Sequence, residues 1–317
     1  MIIKSIKKQR SIFLLAAMAM FVWLTGCDGM AMKSPVVEKL FPNPPDTQML
    51  VLVDYMAPMD VATIISGASV LPDGTSRQKG IRLVPQNNDD FRGHQLDDVY
   101  WVGISLQNAD FRGTFFRKAN CSNSNFSNSD FKVADIRWTN FSNSILENCD
   151  FTQARMFHLF VDDARMSNSS MRGANMFGME GHDADLRNCD LSFTLLKDSE
   201  FINCKFSGSI AVKANFVRSV MLDATADSCD FSFSDFTGAS LEGSSFVNSR
   251  FIHTNFQGAH LQQCDFTGAD LQDCSFFGAE FESTILRGAI NIPEDIRDMM
   301  VDGIVTGYYI STNDKEL

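Results

Sequence analysis

The sequence predicts an all-β solenoid, a chain wound into a stack of similar coils. From Phe91 to Leu286 every fifth residue is apolar or small, without insertion or deletion, and the residue two places earlier is usually small. Neither a helix with 3.6 residues per turn nor a strand with a two-residue alternation places such residues on one side. The chain must therefore turn once every five residues, and a fixed repeat of this kind is typical of a solenoid.

Two further features of the repeat support a continuous ladder around an aromatic core. No proline occurs between Pro85 and Pro293, as expected where most backbone N–H groups are needed as hydrogen-bond donors. The central position of the repeat holds 18 of the 28 phenylalanines. Because each buried ring removes a large apolar surface from water, we expect this core to supply most of the stability.

A short motif, A-[DN]-[LF]-x-x, identifies a family. It occurs at Ala109–Gly113, Ala184–Asn188 and Ala269–Leu271, and with Ile at the third place at Ala134–Ile136. The motif resembles that of pentapeptide-repeat proteins, over about 200 of the 317 residues. The resemblance implies a right-handed, four-sided β-helix with 20 residues per coil, in which the central residue and the residue two places earlier point inward. Residues 91–290 then form about ten coils.

Residues 1–26 have the features of a lipoprotein signal peptide. A basic start precedes the apolar stretch Ser11–Leu24, which is too short to span a bilayer comfortably. The stretch ends in Leu-Thr-Gly-Cys, which resembles the lipobox of bacterial lipoproteins. The resemblance implies cleavage before Cys27 and acylation of Cys27, with palmitate among the acyl chains; an uncleaved N-terminal anchor is the alternative. Asp28 resembles an inner-membrane retention signal, which favours the periplasmic face of the inner membrane over the outer membrane.

The remaining boundaries follow from composition. Residues 27–48 contain half of the eight prolines and are predicted to form an extended tether. Residues 49–90 are predicted to form a small α/β cap that covers the first coil, since a solenoid end exposes an unpaired edge. Residues 291–317 are predicted to form a C-terminal cap with a short helix and a tail.

The net charge argues against some partners. It is −12 for the whole chain and becomes −16 when the four basic residues of the signal peptide are removed. Electrostatic binding to nucleic acid or anionic lipid is therefore not expected. Acidity and a rod shape do fit an alternative function of some pentapeptide-repeat proteins, the mimicry of DNA toward a type II topoisomerase. An exported lipoprotein would not meet that cytoplasmic enzyme.

The cysteines of the repeat are predicted to be unpaired. Six occupy the small inward position, Cys121 occupies the central one, and no two are 20 residues apart. Cys149, Cys189 and Cys229 share a column but skip a coil each time, which places them about 10 Å apart, beyond disulfide reach. The spacings match no zinc motif. Buried, inert thiols are the favoured interpretation.

One column of aspartates could bind cations or be neutralised by neighbouring basic residues. Asp90, Asp110, Asp130 and Asp150 are 20 residues apart, and the basic residues Arg92, Arg112 and Lys132 follow the same interval. Stacked carboxylates repel one another unless they are neutralised. A cation-binding stripe is one hypothesis, and neutralisation by the adjacent basic side chains is the favoured one.

The repeat is least regular between Met156 and Gly181, and this region is the predicted partner-binding site. Large residues, Leu159 and Met179, occupy the small inward position, while their central partners shrink to Val161 and Gly181. Aromatic side chains occupy outward positions beside these exchanges. The candidate partner-binding residues are Phe157, His158, Phe160 and Phe177. Outward stacked aromatics suggest protein docking; local repacking under another part of the chain is the alternative.

No catalytic or cofactor motif accompanies these features. The five histidines share no column, and no phosphate loop, G-x-S-x-G or H-E-x-x-H motif occurs. We expect no enzyme activity, no cofactor and no metal site. The leading hypothesis is a membrane-anchored lipoprotein that acts as a scaffold or adaptor for an envelope protein, without nucleic acid and with homo-oligomerisation through its C-terminal end as an option. A purely structural or effector-type surface protein is a further alternative.

Overall fold

A computed structural model describes residues 89–305 of the chain. Over this range the chain winds into a right-handed, four-sided β-helix, which confirms the predicted fold class. Parallel bridges join residues 20 apart on every side, from the pair Asp90 and Asp110 to the pair Asp270 and Ile290. Because successive coils keep the same register throughout, each surface column consists of residues at intervals of 20.

The corners explain why the repeat prefers Asp or Asn before its central residue. At a representative corner, the backbone N–H of Thr114 donates to the carbonyl of Phe111 at 3.0 Å, which closes a four-residue turn. The carboxylate of Asp110 accepts the N–H of Arg112 at 3.1 Å and so fixes the entry to the turn. The third turn position has a positive φ, +63° at Gly113, a conformation that Gly, Asn and Asp adopt most easily.

The core is a continuous stack of apolar side chains along the axis. The central residues are fully buried from Leu96 to Leu286, and neighbouring coils place phenyl rings face to face. Phe111 and Phe131, for example, stack with centroids 4.5 Å apart and planes within 5°. Aromatic pairs of this kind add about 0.5–1.5 kcal/mol to the burial of their area.

Polar residues at the small inward position bond to the backbone of the preceding coil. The hydroxyl of Ser124 donates to the carbonyl of Trp101 at 2.7 Å. The thiol of Cys149 makes the same contact with the carbonyl of Phe126 at 3.2 Å. All seven cysteines of the described range are unpaired, as the spacing predicts. Burial raises the pKa of the Cys149 thiol to about 12, so it stays protonated and unreactive.

The last coil is closed by a small C-terminal unit. Strand β1, Thr284–Ile285, is followed by the short helix α1, Glu294–Arg297, and by strands β2, Met300–Val301, and β3, Ile304–Val305. The three strands form an antiparallel sheet in the order β1-β3-β2. Strand β3 therefore pairs with the exposed edge of the final coil, and the expected C-terminal helix is present.

Several predicted features lie outside the described residues. They are the signal peptide at 1–26, the tether at 27–48 with Cys27 and Asp28, most of the cap at 49–90, and the end of the tail. Among residues 89–305, no helix has the length and apolar character needed to cross a bilayer.

Candidate functional site

One corner of coils three to five carries a connected group of aromatic and basic side chains, which we call the aromatic corner. Trp138 contacts Phe157 edge-on, with centroids 5.4 Å apart, and stacks on His158 with planes within 12°. His158 in turn meets Phe177 edge-on at 5.6 Å. The corner consists of Arg137, Trp138, Phe157, His158 and Phe177. Trp138 is 40% exposed, and the other rings are half-buried.

The backbone of this corner holds bulky residues in a conformation they disfavour. Trp138 and His158 both occupy the third turn position, with φ of +58° and +54°. For a residue other than glycine, this left-handed region costs about 1–2 kcal/mol. Gly178 follows them in the column, and a Cβ there would lie 2.7 Å from Nδ1 of His158. The missing side chain at Gly178 therefore makes room for the imidazole to lie against the next coil.

A buried ion pair lies beneath the rings. Arg137 donates from Nε and Nη2 to the two carboxylate oxygens of Asp135, each at 2.6 Å. The Asp135 side chain is 2% exposed. The Arg137 guanidinium also lies over the rings of Trp138 and Phe157, 5.3 and 4.9 Å from their centroids. Arg155 approaches the same carboxylate at 4.0 Å and lies 5.8 Å from the Phe157 ring. Two guanidinium groups thus share one carboxylate and one aromatic ring.

The structure brings together three of the four predicted binding residues. Phe157, His158 and Phe177 contact one another through the imidazole. Phe160 is half-buried on the adjacent side of the helix, paired by bridges with Asn140 and Glu180. The sequence interpretation missed Trp138, although its position 20 residues before His158 places it on the same corner. It also missed Arg137, whose contact with the rings depends on the direction its side chain takes.

The neighbouring volume exchange occurs in the core as expected. Leu159, Val161 and Met179 are fully buried. A Cβ at Gly181 would lie 2.8 Å from Cγ2 of Val161, closer than real Cβ contacts come. The absence of a side chain at Gly181 therefore leaves room for Val161 of the preceding coil.

The acidic column forms a staggered ion-pair ladder. Arg112 binds Asp110 at 2.5 Å and reaches Asp130 at 3.7 Å, while Lys132 lies 3.4 Å from Asp130 and 2.7 Å from Asp150. At the first step, the hydrogen bond from Arg92 lowers the pKa of Asp90 to about 2. Across residues 89–305, no three His, Cys, Asp or Glu side chains are grouped to hold a metal ion. The geometry favours neutralisation by the basic residues over the cation hypothesis.

A second titratable cluster lies one side away from the aromatic corner. Nδ1 of His182 is 3.4 Å from Asp162, and its Nε2 is 3.5 Å from Glu200. Interaction with Glu200 raises the pKa of His182 above its ordinary value of 6.5. Burial, together with the nearby charges of Glu200 and Asp162, raises the pKa of Glu180. In the folded protein, both side chains therefore keep their protons to a higher pH than they would in the unfolded chain.

This cluster predicts a pH dependence of stability. A histidine whose folded pKa lies above 6.5 contributes stability below pH 6.5 and loses it as the pH rises through the folded pKa. We therefore expect His182→Gln to destabilise the protein more at pH 5.5 than at pH 8.5, measured by urea unfolding. His253→Gln, at a half-exposed histidine, is the matched control. A larger penalty at pH 8.5 would contradict the assignment.

Comparison with known proteins identifies the repeats. A family model described as pentapeptide repeats matches the chain in eight copies, over residues 104–143, 134–176, 184–221, 229–268 and 254–290. Together these ranges cover more than half of the 317 residues. A search of curated proteins found no match.

Solved structures of similar fold include bacterial and plant proteins. HetL of the cyanobacterium Nostoc sp. strain PCC 7120, described as involved in heterocyst differentiation regulation, is 17% identical with a TM-score of 0.31; the match covers 69% of this chain and 92% of HetL. QnrB1, described as a plasmid-mediated fluoroquinolone resistance protein, is 18% identical with a TM-score of 0.34, covering 56% and 93%. A thylakoid-lumen protein of Arabidopsis thaliana is 22% identical with a TM-score of 0.18, covering 38% and 66%.

Proposed function

The chain belongs to the pentapeptide repeat family, and from this premise we propose that it is a non-enzymatic scaffold that binds a protein partner at the bacterial cell envelope. The aromatic corner carries the proposal. Trp, Phe and Arg are the residue types enriched at the energetic centres of protein interfaces. Here they lie in mutual contact on a rigid rod whose backbone is paired from coil to coil.

The composition of the corner supports a functional role. Coils eight and nine hold Gly238 and Gly258 at the positions that correspond to Trp138 and His158, and both glycines adopt the left-handed conformation without a steric penalty. The fold therefore does not require aromatic side chains at this corner. Exposed aromatic and guanidinium side chains that the fold does not need are characteristic of protein interfaces.

Membrane anchoring is the second part of the proposal, and it rests on the N-terminal sequence. The apolar stretch and the Leu-Thr-Gly-Cys motif support cleavage before Cys27 and acylation of that residue. Each buried methylene adds about 0.8 kcal/mol, so several acyl chains would hold the rod firmly at the bilayer. Asp28 supports a location at the periplasmic face of the inner membrane, and the acidic charge suits a body held off the bilayer surface.

Replacement of the acylated residue tests the anchor. We expect Cys27→Ser to abolish palmitate labelling and to leave an uncleaved precursor, read by metabolic labelling and by mass spectrometry of membrane and soluble fractions. Cys229→Ser is the matched control, because its buried thiol bonds to the carbonyl of Phe206 at 3.1 Å, a contact that a serine hydroxyl reproduces. Wild-type labelling of Cys27→Ser would refute the lipoprotein assignment.

A further inference from the structure

The surface of this acidic protein is not uniform in charge. On the corner of coils two to five, the outward positions hold four basic residues and one acidic residue. The basic residues are Arg117, Lys118, Arg137 and Arg155, and the acidic residue is Asp135. Four aromatic residues share these twelve positions, namely Phe115, Trp138, Phe157 and Phe177, together with His158. We call this surface the basic aromatic strip.

The same corner in coils seven to ten provides an internal comparison. Its twelve corresponding positions hold one basic residue, Arg218, one acidic residue, Asp235, and one aromatic residue, Phe277. The remaining positions are small or uncharged. Coils one and six, which border the strip, hold three acidic residues and one basic residue at these positions, namely Asp97, Asp98, Asp198 and Lys197. Since all ten coils are joined by the same bridges, the fold does not determine the basic and aromatic composition of the strip.

The basic groups of the strip are held against rings. Arg117 lies 5.6 Å from the centroid of Phe115, and Arg137 and Arg155 lie on Phe157. Asp97 accepts hydrogen bonds from Arg117, and Asp135 lies beneath the other two guanidinium groups. Lys118 is exposed. The rings fix the guanidinium groups in place, so fewer side-chain rotamers are lost when an anion binds.

We propose that the basic aromatic strip binds an extended, acidic segment of the partner protein in which carboxylates and apolar side chains follow one another at every second residue, so that both kinds face the strip. This inference rests on the proposed scaffold function and specifies its partner. Carboxylates are the complementary ligands for guanidinium groups, and apolar side chains fit against Trp138 and Phe157. Repulsion from the acidic remainder of the rod would confine such a segment to the strip.

The dimensions match a short segment. Four coils spaced by about 4.8 Å span about 14 Å, the length of four or five residues in a β-strand. The backbone of the corner is already paired, since the N–H of Trp138 donates to Phe157 and that of His158 to Phe177. Recognition must therefore come from side chains and not from an added strand.

A labelled peptide tests the proposal on the full-length protein in detergent. The probe is a fluorescent heptapeptide, Gly-Glu-Ser-Phe-Ser-Glu-Gly, whose Glu and Phe side chains share one face when it is extended, and binding is followed by fluorescence anisotropy at low ionic strength. Its counterpart with Lys in place of Glu is the charge control. We expect the acidic peptide to bind the wild-type protein with a Kd below about 1 mM and to be released by salt. No detectable binding, or binding that does not respond to salt, would overturn the inference.

Two variants locate the peptide. Trp138→Asn removes the ring and places a residue that accepts φ of +58°, so the fold is retained; Phe193→Asn, at a left-handed position on another corner, is its control. The double variant Lys118→Gln/Arg155→Gln lowers the charge of the strip, and Arg187→Gln/Lys205→Gln makes the same change elsewhere. We expect about tenfold weaker binding from each strip variant and less than a twofold change from each control. Equal effects of strip variants and controls would overturn the inference.

Competition experiments separate other occupants. If phosphatidylglycerol added to the detergent micelles displaces the peptide from the wild type while phosphatidylcholine does not, the strip serves a lipid surface and the inference is overturned. The same conclusion follows if sedimentation equilibrium shows a dimer that the strip variants dissociate, because a second copy then occupies the strip. Cys27→Ser leaves peptide binding intact whether or not the anchor exists, so failure of the anchor and failure of this inference give different results.

Discussion

Replacing Phe231 by alanine is expected to lower the free energy of unfolding by about 3–5 kcal/mol, the usual loss for a buried phenyl ring. Phe231 is 1% exposed, and its ring contacts those of four others in the same and adjacent coils. They are Phe216, Phe236, Phe246 and Phe251, at centroid distances of 5.9, 5.4, 6.0 and 5.2 Å. The measurement is the shift of the urea unfolding midpoint.

The chain offers a matched control two residues later. Phe233 is 48% exposed and adopts a φ of +63°, so its ring contributes little to the core. We expect Phe233→Ala to change stability by less than about 0.5 kcal/mol, as for ordinary surface substitutions. Similar losses of stability from Phe231→Ala and Phe233→Ala would contradict the placement of Phe231 inside the coil and Phe233 on its surface.

The second large effect is expected at Asp135, the carboxylate beneath the aromatic corner. Asp135→Ala leaves the Arg137 guanidinium, whose side chain is 17% exposed, without its bidentate partner. Loss of one member of a buried ion pair costs about 3–5 kcal/mol because the remaining charge is uncompensated. Thermal and urea unfolding report the loss, and we expect Trp138 fluorescence to shift as the guanidinium leaves the ring.

An exposed copy of the same pair controls for the loss of the carboxylate itself. Arg187 donates to both oxygens of Asp185 at 2.8 and 2.6 Å, but its side chain is 54% exposed. Water can replace Asp185, so we expect Asp185→Ala to cost at most about 1 kcal/mol. A penalty for Asp185→Ala as large as that for Asp135→Ala would show that burial does not decide the effect.

The periodicity of the sequence predicts which side chains are buried, because every fifth residue faces the axis and no insertion disturbs the register. Leu106, Phe206 and Leu261 are all fully buried as expected. The number of residues per coil came from the resemblance to the family, because a period of five does not fix how many five-residue sides make one coil. The pairing of β3 with β1 could not be predicted from the repeat, because it is antiparallel and lies beyond the last regular motif.

The aromatic corner was predicted only in part for a physical reason. Its rings belong to adjacent coils, and residues 20 apart are neighbours only once the coil length is known. Trp138 lies before the irregular region that drew attention to Phe157 and Phe177. The contacts of Arg137 depend on its rotamer, which folds the guanidinium onto two rings and not into water. Periodicity predicts whether a residue lies inside or outside the β-helix, but it does not predict the direction of a long side chain on the surface.

The constant interval of 20 residues between paired positions has a consequence for how such a chain can change its length. A duplication of five residues would leave every buried side chain buried, yet it would turn everything downstream by a quarter revolution. An insertion between Asp110 and Asp130 would move Asp130 out of the column of Asp110, and one between Trp138 and His158 would separate those two rings. The pattern of buried residues therefore repeats every five residues, while neighbouring residues on the surface are 20 residues apart. Only the gain or loss of a whole 20-residue coil preserves both the buried positions and the surface columns. A gain or loss of five residues keeps the fold but brings different surface residues next to one another.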